Sequence, residues 1–298
     1  MSDITKLTTE LRNEHTSDID KLSTLEMVRL INREDQAVID AVSRVDDKIA
    51  DAIDVVYGAI SSGGRLIYMG AGTSGRLGVL DASEWLPTYG VGKESVIGII
   101  AGGDFALRNP IEGAEDYEDY AVSDLKDIEL SSRDVVFAIA SSGRTPYCIG
   151  ALKYARELGC KTVSLANVPD SEIGKYADVV IEAVSGPEVI TGSTRMKAGS
   201  TQKMVLNIIS TSTMIKYGKV YGNLMVDVNP VNHKLILRAQ HIIREATGVD
   251  ENRSIELLEN SKNNVKLAIV MELKGLSYEL ALDLLNKHEG RIRDAIEN

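Results

Sequence analysis

Two glycine- and hydroxyl-rich turns carry the residues of this 298-residue chain best suited to chemistry. The first, Gly70-Ala-Gly-Thr-Ser-Gly75, follows the apolar run Leu66–Met69; the second, Ser141-Ser-Gly-Arg-Thr145, follows Val135–Ala140. Glycine permits positive φ and close backbone approach, so successive amides can turn toward an anion, and the helix that follows adds its positive N-terminal end. Thr73, Ser74, Ser142 and Thr145 supply hydroxyl donors, with Gly72 and Gly143 giving the close approach. Two such loops suit one phosphomonoester gripped from both sides. The first loop also fits G-x-G-x-x-G, the dinucleotide fingerprint. A dinucleotide site calls for an acidic residue about 20 residues further on; here Asp104, at the end of the next strand, comes later, and the second loop has no task in that scheme. Either loop alone is also compatible with an ordinary strand-to-helix turn.

These loops need strands before them and helices after them. The stretches Leu66–Met69, Val96–Ile100, Val135–Ala140, Thr162–Leu165 and Val179–Glu182 are short and apolar without alternation, the pattern of parallel strands covered on both faces. They predict a doubly wound α/β core with a parallel five-stranded sheet. The first 60 residues are expected to be helical: Ile49, Ala52, Ile53, Val56, Tyr57 and Ile60 share one helical face, and Ser61-Ser-Gly-Gly64 ends the element. Ala198–Tyr217 is expected to be a long, largely apolar helix, whose Met and Leu side chains suit a core or a subunit interface. An internal repeat follows: Val249–Leu258 with Asn264–Ile269 recurs as Leu276–Leu285 with Arg291–Ile296. Each copy predicts a capped helix, a turn and a short second helix, and one copy cannot bury its apolar face alone. The expected division is an N-terminal helical segment 1–54, an α/β domain 55–218 that carries both loops and a C-terminal helical segment 219–298.

With 33 basic against 44 acidic residues the net charge is −11, which argues against nucleic acid or an anionic membrane as partner. That charge also repels a phosphorylated substrate at long range, but with a Debye length of about 8 Å local donors outweigh it. Cys148 and Cys160 have no paired framework around them and are expected to be buried, reduced thiols in a cytoplasmic protein. No apolar run approaches the roughly 20 residues that span a bilayer. The four histidines are scattered, and neither H-E-x-x-H nor paired C-x-x-C is present, so the sequence calls for no metal, and the chemistry below for no other cofactor.

The wording of the loops is itself informative. Gly70–Trp85 (GAGTSGRLGVLDASEW), Ala140–Tyr147 (ASSGRTPY), Gly186–Lys203 (GPEVITGSTRMKAGSTQK), Gly218–Val228 (GKVYGNLMVDV) and the opening Thr8–Asp20 (TTELRNEHTSDID) closely resemble the N-acetylmuramic acid 6-phosphate etherase family. The resemblance runs over nearly the whole chain. It extends to glucokinase regulatory protein, a sugar-phosphate sensor with related sugar-isomerase (SIS) domains. Departures are small: Trp85-Leu86 stands where the family usually has Cys-Pro, and Ser141 where it usually has Ala.

The resemblance implies the SIS fold, a UBA-like C-terminal segment and removal of D-lactate from carbon 3 of N-acetylmuramic acid 6-phosphate. It implies ring opening to an aldehyde, proton abstraction at carbon 2, loss of lactate and addition of water. It assigns Glu84 as the acid that protonates the departing oxygen and Glu115 as the base at carbon 2. Leu80, Trp85, Leu86 and Tyr89 around Glu84 are expected to desolvate it and raise its pKa, whereas Glu115 lies in the acidic run Glu112–Asp119, which in sequence looks like a solvated face. Ser193 and Lys197 are weaker candidates for sugar contacts, Lys219 for phosphate. A continuous helix over Gly75–Ser83 puts Glu84 about 15 Å from the phosphate loop, too far for one hexose phosphate to span. Either the helix breaks or a homodimer shares its active sites; the second is expected. The alternatives are a non-catalytic sugar-phosphate-sensing regulator, disfavoured because the regulator has two tandem SIS domains, and an aldose–ketose isomerase on the same fold.

Overall fold

The computed structural model describes Leu7–Val228 and Pro230–Glu297; the opening of the expected N-terminal helical segment, residues 1–6, lies outside the described residues. The chain forms two compact units, one of residues 1–84 and 92–210, the other of residues 85–91 and 211–298. Among the described residues no helix is long and apolar enough to cross a membrane.

The first unit is built on five parallel strands, β1 (Leu66–Gly70), β2 (Val96–Ile100), β3 (Val135–Ala140), β4 (Lys161–Ala166) and β5 (Val179–Glu182), in the order β2-β1-β3-β4-β5. Both faces are covered. Ile67, Met69 and Val136 pack with Ala121 and Leu125 of α4 (Glu118–Asp127) and with Tyr147, Ala151 and Ala155 of α5 (Pro146–Glu157). Tyr68, pointing the other way, donates to Asp81 of α3 (Gly72–Tyr89) at 3.0 Å. Buried Asp81 also accepts from Asn207 and Ser210 of α6 (Lys197–Lys216) at 2.9 and 3.0 Å, which ties strand, α3 and α6 together. The last residues of both long helices belong to the second unit.

The strands fall where continuous apolar runs predict them, but the N-terminus departs from the expected helix. Helix α1 begins only at Thr24 (Thr24–Ser43) and α2 follows (Asp46–Ser61); before them the chain makes three short 3-10 turns, Thr8–Glu10, Glu14–Thr16 and Ile19–Lys21. The cause is local composition. Asn13 accepts from the His15 amide at 3.0 Å and Thr16 donates to the Asn13 carbonyl at 3.3 Å, side-chain bonds that compete with the helical ladder.

In the second unit a hairpin, β6 (Val220–Tyr221) and β7 (Leu224–Met225), precedes α7 (His233–Thr247), α8 (Glu251–Asn260), α9 (Val265–Lys274), α10 (Tyr278–Lys287) and α11 (Ile292–Glu297). The repeat is realised as α8–α9 and α10–α11. Asp250, Asn264 and Ser277 cap their helices by accepting from the third amide onward, and Leu257, Leu258, Ile269, Ala281, Leu285, Ile292 and Ala295 close one core with Ala239 and Ile243 of α7. Lys219 is ion-paired with Asp227, which Lys266 also approaches at 3.5 Å.

Candidate active site

In a sheet ordered 2-1-3-4-5 the connections leave β1 and β3 in opposite directions, opening a crevice beyond the carboxyl ends of those strands where ligands bind. Both glycine-rich loops are there. Between them lies a cavity of about 280 Å³ lined by Gly72, Thr73 and Ser74 from the first loop and Ser141, Ser142 and Thr145 from the second. Gly75 lets the first loop close: a Cβ there would sit 2.5 Å from the Gly70 carbonyl oxygen. Gly143 adopts φ +65° and a Cβ there would meet that of Ser171 at 2.6 Å, so it shapes the second loop without lining the cavity.

Neutral donors furnish this wall. Among the described residues it holds no lysine or arginine, so an anion must rely on hydroxyls, amides and the starts of α3 and α5. Thr145 precedes α5, whose first residue is Pro146, and its side chain makes no capping bond, leaving its hydroxyl to the cavity. Ser141 is fixed from behind: Gln202 donates to its Oγ and to Asn167 Oδ1, both at 2.9 Å, and Asn167 donates to the Ala183 carbonyl at 2.9 Å.

A second cavity of about 320 Å³ adjoins the first, sharing Ala71, Gly72 and Glu115 and continuing over Arg76, Ile100, Ala101, Ala106 and Ile111. Arg76 donates to the carbonyls of Ala106 and Leu107 at 2.7 and 3.0 Å, which holds the far wall and places a guanidinium in the cavity. Glu115 stands at the junction. Its carbonyl accepts from the Tyr147 amide at 3.1 Å, so the segment before α4 is tied to the start of α5. Although the residue is open to solvent at the cavity mouth, the walls around its carboxyl desolvate it, and with Asp116 beside it these raise its pKa above the usual glutamate value.

That shift has a measurable sign. A carboxyl whose folded pKa is raised gives stability that is fully present below its unfolded pKa and is lost as pH rises through the folded one. Glu115→Gln is therefore expected to raise the thermal midpoint at neutral pH and leave it unchanged near pH 3; scanning calorimetry at both pH values checks it, and a neutral-pH decrease contradicts the desolvation.

Comparison with known proteins bears on what these cavities serve. A model of the glucokinase regulatory protein N-terminal SIS domain matches residues 48–156, and a SIS domain model matches residues 117–213. The fold resembles that of an Escherichia coli CFT073 protein solved in complex with a ligand (TM-score 0.51, 16% identity, 68% of this chain and 97% of that one). It also resembles a phosphoheptose isomerase from Francisella tularensis (TM-score 0.50, 15% identity, 65% and 100%). The N-acetylmuramic acid 6-phosphate etherase of Lactobacillus johnsonii is 53% identical over 99% of both chains, and that of Geobacillus sp. is 52% identical over 98% of this chain and 99% of its own. The chain belongs to the N-acetylmuramic acid 6-phosphate etherase family.

Within this etherase-family chain, the residues singled out in the sequence separate into groups. Gly72, Thr73, Ser74, Ser142, Thr145 and Glu115 line one cavity. Glu84 lines neither: α3 runs unbroken from Gly72 to Tyr89, and Glu84 is exposed three turns along it. The apolar enclosure expected around Glu84 is absent within one chain. Trp85 is buried, but Leu80, one turn from Glu84 on the same helix face, and Leu86 are themselves 52% and 50% exposed. Lys197 is buried, with its ammonium donating to Glu34 at 3.0 Å, while Glu188 caps the start of α6 by accepting from the amides of Lys197 and Ala198, each at 2.9 Å. Ser193 lies beside the site and its neighbour Thr194 lines it. Thr9 and Glu10 line it too. The opening signature signalled family membership without showing that these two side chains reach the cavity.

Proposed function

We propose that the chain cleaves the D-lactyl ether of N-acetylmuramic acid 6-phosphate, giving N-acetylglucosamine 6-phosphate and D-lactate by elimination and hydration. The observation that supports this most is Glu115 at the junction of the two cavities. The phosphate fits the hydroxyl-lined cavity, and the sugar extends past Glu115 into the second, where Ile100, Ala101 and Ile111 face the acetamido methyl and Arg76 the lactyl carboxylate. Carbon 2, next to the aldehyde of the opened sugar, then lies at the one carboxylate common to both cavities. A raised pKa makes that carboxylate a better proton acceptor.

The acid is Glu84 of a neighbouring subunit. Thr73, Leu77, Leu80 and Glu84 recur at the spacing of one helix face, and Leu80, like Ile208 of α6, is an exposed apolar side chain in the first unit. A homodimer closing over that face covers these residues and brings Glu84 to a partner's sugar. Ser193 and Lys197 then act from behind the wall, Lys197 through Glu34 and the start of α6. We assign the protein to the cytoplasm, consistent with two buried free cysteines.

Incubation with N-acetylmuramic acid 6-phosphate is expected to release D-lactate in a coupled dehydrogenase assay; none released by folded protein contradicts the function. Ser74→Ala and Ser142→Ala each remove a donor to a phosphate that the reaction leaves unchanged. Uniform binding appears in KM rather than kcat, and one hydrogen bond to a charged group corresponds to a rise of about 10- to 100-fold. Steady-state kinetics with unchanged KM and collapsed kcat for both variants would remove the phosphate from these loops.

A further inference from the structure

Resting on the etherase reading above, we infer that Glu10 is the acid–base group that opens the sugar ring. Its carboxylate lines the hydroxyl cavity and lies against the backbone of Gly192. Among the described residues it has neither a hydrogen-bond donor nor an ion-pair partner. Its placement is built rather than incidental. Asn13 donates to Glu34 at 2.5 Å and to the Pro187 carbonyl at 3.4 Å, and Thr16 donates to the Val189 carbonyl at 2.8 Å, pinning the opening segment beside the loop that carries Thr194.

A carboxylate with no partner among the described residues beside a phosphate cradle weakens phosphate binding by like-charge repulsion. It offsets that cost only by acting on the ligand, and an ionised carboxylate can act only on a donor or as a proton carrier. Connectivity says which part of the sugar it meets. The phosphate is on carbon 6, carbon 6 is bonded to carbon 5, and carbon 5 bears the ring oxygen, so the ring oxygen is on the phosphate side while carbons 2 and 3 are across the ring. Glu10 lines only the phosphate cavity, whereas Glu115 lines the junction. The two carboxylates therefore face opposite sides of the ring.

The step balances with one proton exchanged at each end. The carbon 1 hydroxyl gives its proton to the Glu10 carboxylate and becomes the aldehyde as the bond from the ring oxygen to carbon 1 breaks and its electron pair moves to that oxygen. The same carboxyl then gives the proton to the ring oxygen, leaving Glu10 a carboxylate as it began. The reverse step closes the product ring, so the same group interconverts the α and β anomers of N-acetylglucosamine 6-phosphate.

That anomer interconversion is a readout that a merely structural residue would not control. Exchange spectroscopy on N-acetylglucosamine 6-phosphate is expected to show acceleration by the wild type and a loss of about 100-fold or more with Glu10→Gln. Competitive inhibition by the same sugar phosphate is expected to persist in Glu10→Gln. Glu10→Asp, which keeps an acid at the site, is expected to retain part of the acceleration. Unchanged interconversion by Glu10→Gln, loss of its sugar-phosphate binding, or Glu10→Asp as slow as Glu10→Gln overturns the assignment. A wild type that releases D-lactate without speeding interconversion overturns it as well. Absence of D-lactate release by the wild type overturns instead the etherase reading on which it rests.

Discussion

Replacing Glu115 with Gln is expected to stop exchange of the carbon 2 hydrogen with solvent and to lower kcat by about 10²- to 10⁴-fold, the usual cost of removing a general base. The amide keeps the size and hydrogen-bonding capacity of the side chain, so the tie from the Tyr147 amide to the residue 115 carbonyl is undisturbed. KM is expected to change little, because the phosphate loops are intact. The acid limb of the wild-type kcat/KM profile is expected above the ordinary glutamate pKa, since burial and Asp116 raise that of Glu115, and it disappears with the carboxyl. A Glu115→Gln protein that exchanges carbon 2 at the wild-type rate places the base elsewhere.

Glu84→Gln is expected to slow lactate release by a similar factor, because an alkoxide leaving without a proton is a poor leaving group, while carbon 2 exchange continues. The sharper result comes from mixing. The distance of about 15 Å along an unbroken α3 from Ser74 to Glu84 is longer than one hexose phosphate held at the loops of the same chain, which is why sharing between subunits is expected. Glu84→Gln and Glu115→Gln are each expected to be nearly inactive alone. In a symmetric dimer with shared sites, every hybrid contains one site with both native carboxylates, so equal mixing is expected to restore about a quarter of the wild-type sites. Failure to recover activity, with subunit exchange shown by mass spectrometry, contradicts sharing.

How far the sequence foretells this arrangement depends on whether the cause is local. The strands were legible because each is a continuous apolar run stopped by glycine or a polar cluster, and the phosphate loops because glycine and hydroxyls recur at the ends of two of them. The 2-1-3-4-5 order, which brings those two loops together, is a tertiary fact. The hairpin at Val220–Met225 is only two residues long on each side and half-buried, leaving no alternation to detect despite its Gly222-Asn223 turn. Glu115 looked like part of a solvated acidic run, and the second cavity that desolvates it is assembled from the distant Arg76, Ile100 and Ala106. Glu84 looked enclosed, yet Leu80 and Leu86 face outward. Glu10 reaches the cavity through Asn13 and Thr16 contacts to residues 187 and 189, a separation no periodicity reports. The grouping of Trp85–Val91 with the C-terminal unit likewise depends on packing rather than on chain order.

Elimination followed by hydration fixes which bond breaks and where each new atom comes from. Turnover in heavy-oxygen water and deuterium oxide, with mass spectrometry of both products, tests it directly. Elimination and hydration predict N-acetylglucosamine 6-phosphate carrying heavy oxygen at carbon 3 and deuterium at carbon 2, with unlabelled ether oxygen in D-lactate. Heavy oxygen in the lactate, or carbon 2 retaining its original hydrogen, would contradict elimination and with it the roles of both Glu84 and Glu115.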